Sequence, residues 1–239
     1  MTDIDDAELR DQDPFDLLDR EFERLDGYLA TLEGDDWLEP TRCEGWRRRE
    51  LLAHLASSEG YNRATIDGTV GEFMAQGAAA GATDLASFNN VGVHQLDHTA
   101  PQELLQLWRE RSGRNRRDLR AMGWDGVLQT AGAGPYPAGR QALHLAQEFA
   151  IHADDMGMPL SDAEREFRRT WQPRFARFTL REYGKAVEVE SDGRGGNRLR
   201  GDGAETTLDD DTLVAVCSAR LPQGAGIPDG LRALLRVFA

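Results

Sequence analysis

Five histidines occur in this 239-residue chain, at positions 54, 94, 98, 144 and 152, and their surroundings differ. Glu148 and His152 lie four residues apart in LAQEFAIHADDMG, so on a helix both side chains leave the same face. That stretch is largely apolar, and a carboxylate or imidazole buried there without a partner is costly. His54, set in LLAHLA, poses the same problem on a different segment. One divalent cation held by His54, Glu148 and His152 would satisfy all three. Two neutral imidazoles and one carboxylate leave a coordination position open for water or substrate, as catalytic sites do and structural sites do not. Hydrogen bonding inside a core is the alternative account of the same residues.

Other candidates are weaker. His94 and His98 are also four apart, with Asp97 between them, but their segment is polar and ends at Pro101, as a solvated helix terminus would. His144 lies one turn before Glu148 and is either a further ligand or support, or an edge residue. Asp154 and Asp155 follow His152; one of them can hydrogen-bond a ligating imidazole and raise its basicity, or both can solvate a helix end. The glycine clusters GRGG and AGAGP lack the strand–loop–helix setting of a phosphate loop and read as turns. No Ser-His-Asp order stands out, and neither Cys43 nor Cys217 is near a histidine in sequence. Lys185 is the only lysine, leaving a single candidate for Schiff-base chemistry.

The positioning elements are mostly helices. Asp13 can cap and Pro14 can open a helix whose apolar stripe runs Phe15, Leu18, Phe22, Leu25, Leu29 and Leu32, ending near Gly34. A second helix starts after Gly45-Trp46 and carries Leu51, Leu52, His54 and Leu55. A shorter one spans about Leu85 to Leu96, after a flexible GAAAGA stretch. Pro101 announces a helix with Leu104, Leu105, Leu107, Trp108 and Leu119. The loop AGAGPYPAG leads to a last helix at about 140 to 156, stopped by Gly157 and Pro159. Residues 1–158 thus hold four long helices, a short one and no strand pattern, which predicts a helix bundle with one or two long crossovers. After Pro159 the character changes. Ser161 and Glu164 form a capping box, KAVEVE alternates like a strand, and a second strand is expected near Arg198 to Arg200. Two helical pieces follow, DTLVAVCSARL and DGLRALLRVF. Residues 159–239 therefore read as a small α/β domain, and the whole as α+β.

Composition narrows the partners. With 42 acidic against 28 basic residues, the net charge of −14 repels phosphate backbones and anionic membrane surfaces, so no nucleic-acid or membrane partner is expected. Two distant cysteines suggest no disulfide framework, the acidic MTDIDDAELRDQD has no apolar signal region, and no apolar run could cross a bilayer. The reading is cytoplasmic.

The stretch DDWLEPTRCEGWRRRELLAHLASSEGYN resembles the opening motif of the mycothiol-dependent maleylpyruvate isomerase family, in the DinB-like metalloprotein superfamily. The matching residues are Trp37, Thr41, Cys43, Gly45, Trp46 and Ala53-His54-Leu55. A second motif, a Glu and a His followed by aspartate and glycine, is similar to EFAIHADDMG. The resemblance covers about residues 14 to 158. It implies a DinB-like four-helix bundle with a smaller C-terminal α/β domain, metal ligands at His54, Glu148 and His152, zinc as the usual metal and mycothiol as the thiol cosubstrate. An arginine ending a short helix is typical of the family's second domain, and CSARLP offers Arg220 as the catalytic cation. The family also carries an arginine ahead of an asparagine between two helices; here Phe88 precedes Asn89-Asn90. A dicarboxylate such as maleylpyruvate would be held most naturally by bidentate guanidinium contacts, so this departure argues against that substrate.

What the resemblance implies chemically is a thiol made nucleophilic beside a cation and attacking a small electrophilic carbon. Addition to a conjugated double bond, rotation and departure give cis–trans isomerisation; retention gives S-conjugation. Two other classes compete: a metal-dependent hydrolase using hydroxide, and a protein that senses metal or thiol without turnover.

Overall fold

The computed structural model describes residues 4–221 and 226–237. The chain is helix-rich with two small sheets and divides into two compact units, one over Asp13–Pro159 and one joining the residues up to Gln12 with those from Leu160 onward. The sequence reading put everything up to 158 in the first domain. The N-terminal segment instead groups with the C-terminal unit, because Glu8 pairs with Arg177 and Arg181, and Asp11 with Arg174, all on a C-terminal helix.

In the first unit the long helices are α1 (Pro14–Leu29), α2 (Arg48–Asp67), α5 (Pro101–Met122) and α6 (Ala138–Asp155). Each end has a local cause. Asp13 Oδ1 accepts from the amides of Phe15 (2.8 Å) and Asp16 (3.2 Å), with Pro14 at the first helical position. Gly68, at φ +73°, closes α2 in the left-handed region. α6 ends in a Schellman pair, Gly157 N–H to the Asp154 carbonyl and Met158 N–H to that of Ala153. α1 packs on α6 and α5, and α2 on α5. Their shared apolar interior includes Leu25, Leu29, Leu51, Leu52 and Leu104, with Trp108 seated between Phe22 (4.6 Å) and Phe149 (5.5 Å).

Two features of this unit differ from expectation. The segment before Leu85 is not a flexible linker throughout: Val70–Ala79 forms a helix, α3, ahead of α4 (Leu85–His94). Gly77 lets α3 approach α4, since a Cβ there would lie 2.1 Å from the Phe88 ring. The second concerns AGAGPYPAG, where β1 (Val127–Thr130) and β2 (Gly134–Pro137) pair as an antiparallel hairpin. Pro135 and Pro137 disguised β2, yet alternate positions of a two-stranded ribbon can face away from the only ladder, where a missing N–H costs nothing.

In the C-terminal unit, α7 (Asp162–Glu182) opens with the expected Ser161–Glu164 capping box. The strands β3 (Glu188–Ser191), β4 (Gly196–Gly201) and β5 (Ala204–Asp209) form an antiparallel meander. β5 is a strand beyond the two expected. Asp202-Gly203, at φ +49° and +69°, makes the two-residue turn that joins it to β4. Leu199 and Leu208 pack with α7, α8 (Asp210–Cys217) and α9 (Asp229–Leu235) in a second core. α8 stops earlier than the sequence suggested, and Phe238 of the expected last helix lies outside the described residues. No helix among the described residues is long and apolar enough to cross a membrane.

The core of the first unit also contains a polar layer. Glu59 is 2% exposed, and Asn115 donates to its Oε2 at 2.7 Å and to its backbone carbonyl at 2.9 Å. Burial raises the Glu59 pKa above the ordinary 4.5, outweighing the Asn115 hydrogen bond that pulls it down. A carboxyl whose folded pKa is raised contributes most below its unfolded pKa and loses that contribution as pH rises through the folded one. Denaturation of the wild type should therefore become easier as pH rises above about 4.5 toward neutrality. Glu59→Gln, which keeps an oxygen for Asn115, should flatten that limb; a variant with the wild-type pH profile would show that Glu59 is ionised in the fold.

Candidate metal centre

The three residues singled out from spacing converge. His54 comes from the second turn of α2, and Glu148 and His152 lie one turn apart on α6. His54 Nε2 is 3.0 Å from Glu148 Oε1, and His152 Nε2 is 3.5 Å from that same oxygen. One ligand atom from each residue lies within 4.8 Å of the others. The two imidazole rings meet edge to face, 5.1 Å apart at 84°. Both histidines are buried, at 6% and 8%, whereas the Glu148 side chain is 37% exposed, so the set opens to solvent on the carboxylate side.

The electrostatics follow from this crowding. Burial works against the charge on Glu148, but hydrogen bonds from His152 and His54, with their charge, hold its carboxyl well below 4.5. Burial likewise works against protonation of His152. Asp155, Cys43 and Glu148 outweigh it and keep the imidazole well above 6.5. His152 is thus gripped on both nitrogens: Nδ1 by Asp155 Oδ2 at 3.0 Å, Nε2 by Glu148. Of the two aspartates offered by the sequence, Asp155 is the one bonded to the imidazole, and its side chain is fully buried. The donor set fits a divalent cation of borderline softness, two nitrogens and one carboxylate with one side open.

The remaining candidates fall elsewhere. His144 Nε2 lies 3.0 Å from the Tyr136 hydroxyl of β2 and belongs to neither ligand group found among the described residues. His94 is exposed, with Nδ1 2.6 Å from the Asn90 carbonyl, and His98 is exposed as well. Arg220 sits in the other unit, three residues past the end of α8 and not on it. Ala219, at φ +54°, closes a Schellman turn in which the Arg220 amide donates to the Ala215 carbonyl (2.8 Å), and the guanidinium donates to the Ser218 carbonyl (2.5 Å). Phe88 is taken up in packing, its ring 5.6 Å from that of Phe73.

Sequence reasoning missed Cys43 and Trp46 as neighbours of the site. Cys43 Sγ is 3.3 Å from Asp155 Oδ2, and Cys43, His152 and Asp155 form a second group of potential ligands. The separation of Cys43 from Asp155, 112 positions, offered no local signal. The Trp46 ring lies 5.1 Å from that of His54, tilted by 36°.

Comparison with known proteins came to the same fold. The family model for the mycothiol maleylpyruvate isomerase N-terminal domain matches residues 18–157. Two uncharacterized proteins of Mycobacterium tuberculosis, from strains CDC 1551 / Oshkosh and ATCC 25618 / H37Rv, are each 28% identical over 143 residues, 60% of this chain. The match spans 53% of each relative, about half its length. Among solved structures, a mycothiol-dependent maleylpyruvate isomerase is similar with a TM-score of 0.64 at 17% identity, over 91% of this chain and 94% of that one. A histidine-to-alanine mutant of it gives 0.63 at 16%, with the same coverage.

Because His144 is tied to the hairpin, Tyr136→Phe should cost about 0.5–1.5 kcal/mol in urea denaturation, the range for one intramolecular hydrogen bond. His144→Ala should leave cation binding unchanged. A His144→Ala protein that fails to take up zinc would make this residue a ligand after all.

Proposed function

Since the chain belongs to the mycothiol maleylpyruvate isomerase N-terminal domain family, we propose that it is an enzyme in which one divalent cation, held by His54, Glu148 and His152, serves to activate a low-molecular-weight thiol against a small electrophile. The observation that carries this reading is the convergence of the three ligand atoms within 4.8 Å, with the carboxylate on the open side. On this reading α1, α2, α5 and α6 form a DinB-like four-helix bundle, the cation is zinc and the thiol mycothiol.

When bound, such a cation would stabilise the thiolate form of an entering thiol near neutral pH. The protein's own part is to present three fixed donors and only one negative charge. Glu148 supplies that charge, His54 and His152 remain neutral donors once the site is loaded, and Asp155 holds the far nitrogen of His152. The thiolate adds to one carbon of an activated double bond, whose π electrons pass to the conjugated carbonyl. Rotation about the resulting single bond and expulsion of the thiolate re-form the double bond as the other isomer, whereas uptake of a proton from solvent at the neighbouring carbon leaves an S-conjugate. Phe88, packed against Phe73, cannot clamp a carboxylate, so the preferred electrophile differs from a dicarboxylate held at that position. Arg220 is our candidate to stabilise anionic thiol or substrate.

Elemental analysis of protein prepared without chelators should find one divalent cation per chain. His152→Ala should lose it, and the double change His94→Ala, His98→Ala should keep it; a metal-replete His152→Ala would refute the ligand set. Zinc-loaded protein given a thiol and a chromogenic electrophile should turn over only with the thiol. Thiol-independent turnover would identify a hydrolase, and none at all a sensor.

Arg220→Ala should retain the cation and melt like the wild type while losing about tenfold to a thousandfold in thiol-dependent rate, the range for a lost stabilising charge. Undiminished turnover would leave Arg220 as the cap of its own turn.

A further inference from the structure

The motif Thr41–Trp46 supplies none of the three candidate ligands, yet it is bonded to Asp155, which holds His152, and its Trp46 ring meets that of His54. We propose that this loop is the positioning device of the ligand set, acting on His152 through Asp155 and on His54 through Trp46; the proposal rests on the metal reading above. The loop is closed on itself first. Thr41 donates through its amide (3.1 Å) and hydroxyl (2.8 Å) to the Trp46 carbonyl, and its hydroxyl accepts from the Cys43 amide at 3.1 Å. Gly45, at φ +80°, supplies the left-handed residue that lets the chain return.

The closed loop is then fastened to the end of α6. The Arg42 amide donates to the Asp155 carbonyl at 3.1 Å, and Cys43 Sγ donates to Asp155 Oδ2 at 3.3 Å. That oxygen is the one that receives His152 Nδ1 at 3.0 Å. Two donors converging on one buried carboxylate oxygen leave Asp155 little rotational freedom. Asp155 in turn assigns the Nδ1 side of His152 to hydrogen bonding, so Nε2, which faces Glu148, is the nitrogen free to bind a cation. At the other end of the loop, the Trp46 ring packs on that of His54, 5.1 Å away and tilted by 36°, and so takes up space into which the imidazole could turn. Cys43 is on this account a hydrogen-bond donor and not a nucleophile.

A loop that merely ties α6 to α2 would have the same contacts but would not govern cation affinity. Zinc affinity measured by competition with a chromophoric chelator separates the two, together with the visible spectrum of the cobalt(II)-loaded protein, which reports coordination geometry. Asp155→Asn should bind zinc about 10–100-fold more weakly and shift the cobalt spectrum, with unchanged circular dichroism when metal-free. Cys43→Val should weaken zinc in the same direction by less, and Cys43→Ser, whose hydroxyl can donate to the same oxygen, should restore it. Wild-type zinc affinity in Asp155→Asn would overturn the proposal. Should that variant fail to fold, the Cys43 pair decides alone, and equal affinity of Cys43→Val and Cys43→Ser overturns it. If the wild type itself binds no zinc, the metal reading fails and this proposal with it; if only the variants match the wild type, the positioning role alone fails.

Discussion

A single carboxylate oxygen, Oε1 of Glu148, is the point on which the first unit is organised. Two imidazoles reach it, from α2 and from the next turn of α6, and their hydrogen bonds keep the acid ionised against the penalty of burial. The requirement is geometric before it is chemical. α2 and α6 must present His54 and Glu148 at the same height, or the buried imidazole loses the carboxylate it bonds. Trp108, between Phe22 and Phe149, fills the adjoining interior and fixes the spacing of α1, α5 and α6 next to that level.

The same unit contains a contrasting carboxyl. Glu59 lies in the next turns of α2 and, unlike Glu148, is buried outright; Asn115 donates to it, and its pKa moves the opposite way. The two glutamates thus shift in opposite directions: imidazole hydrogen bonds and charge outweigh burial at Glu148, and burial outweighs the Asn115 hydrogen bond at Glu59.

Precision at the site comes from how elements end. The Schellman stop at Gly157 lets the chain leave α6 immediately after Asp155, so a residue in the last turn can still direct its carboxylate inward. Arg48 adds a hydrogen bond from Nε to the Met156 carbonyl at 3.0 Å, holding the same terminus. In the C-terminal unit a Schellman turn with alanine in the left-handed position fixes the backbone at Arg220, a strained choice where glycine would be free.

The sequence by itself determined the long helices and the three converging residues. Apolar stripes at spacings of three and four, Pro at helix starts and Gly at helix ends are local signals, and Glu148 and His152 share a face by helix periodicity alone. The turn Asp202-Gly203 was equally legible and would have announced β5, since two residues with positive φ between apolar positions specify a hairpin. The tertiary structure decided what no local rule reaches. β2 was hidden by its prolines, because a ladder position cannot be told from a free edge before the partner strand is known. Asp154 and Asp155 are adjacent in sequence, and only the rotation of the last turn of α6 directs the second one inward. Cys43 meets Asp155 across 112 positions, a contact that brings the loop ahead of α2 to the end of α6, and such a meeting is a property of the assembled core that spacing within any one segment cannot encode.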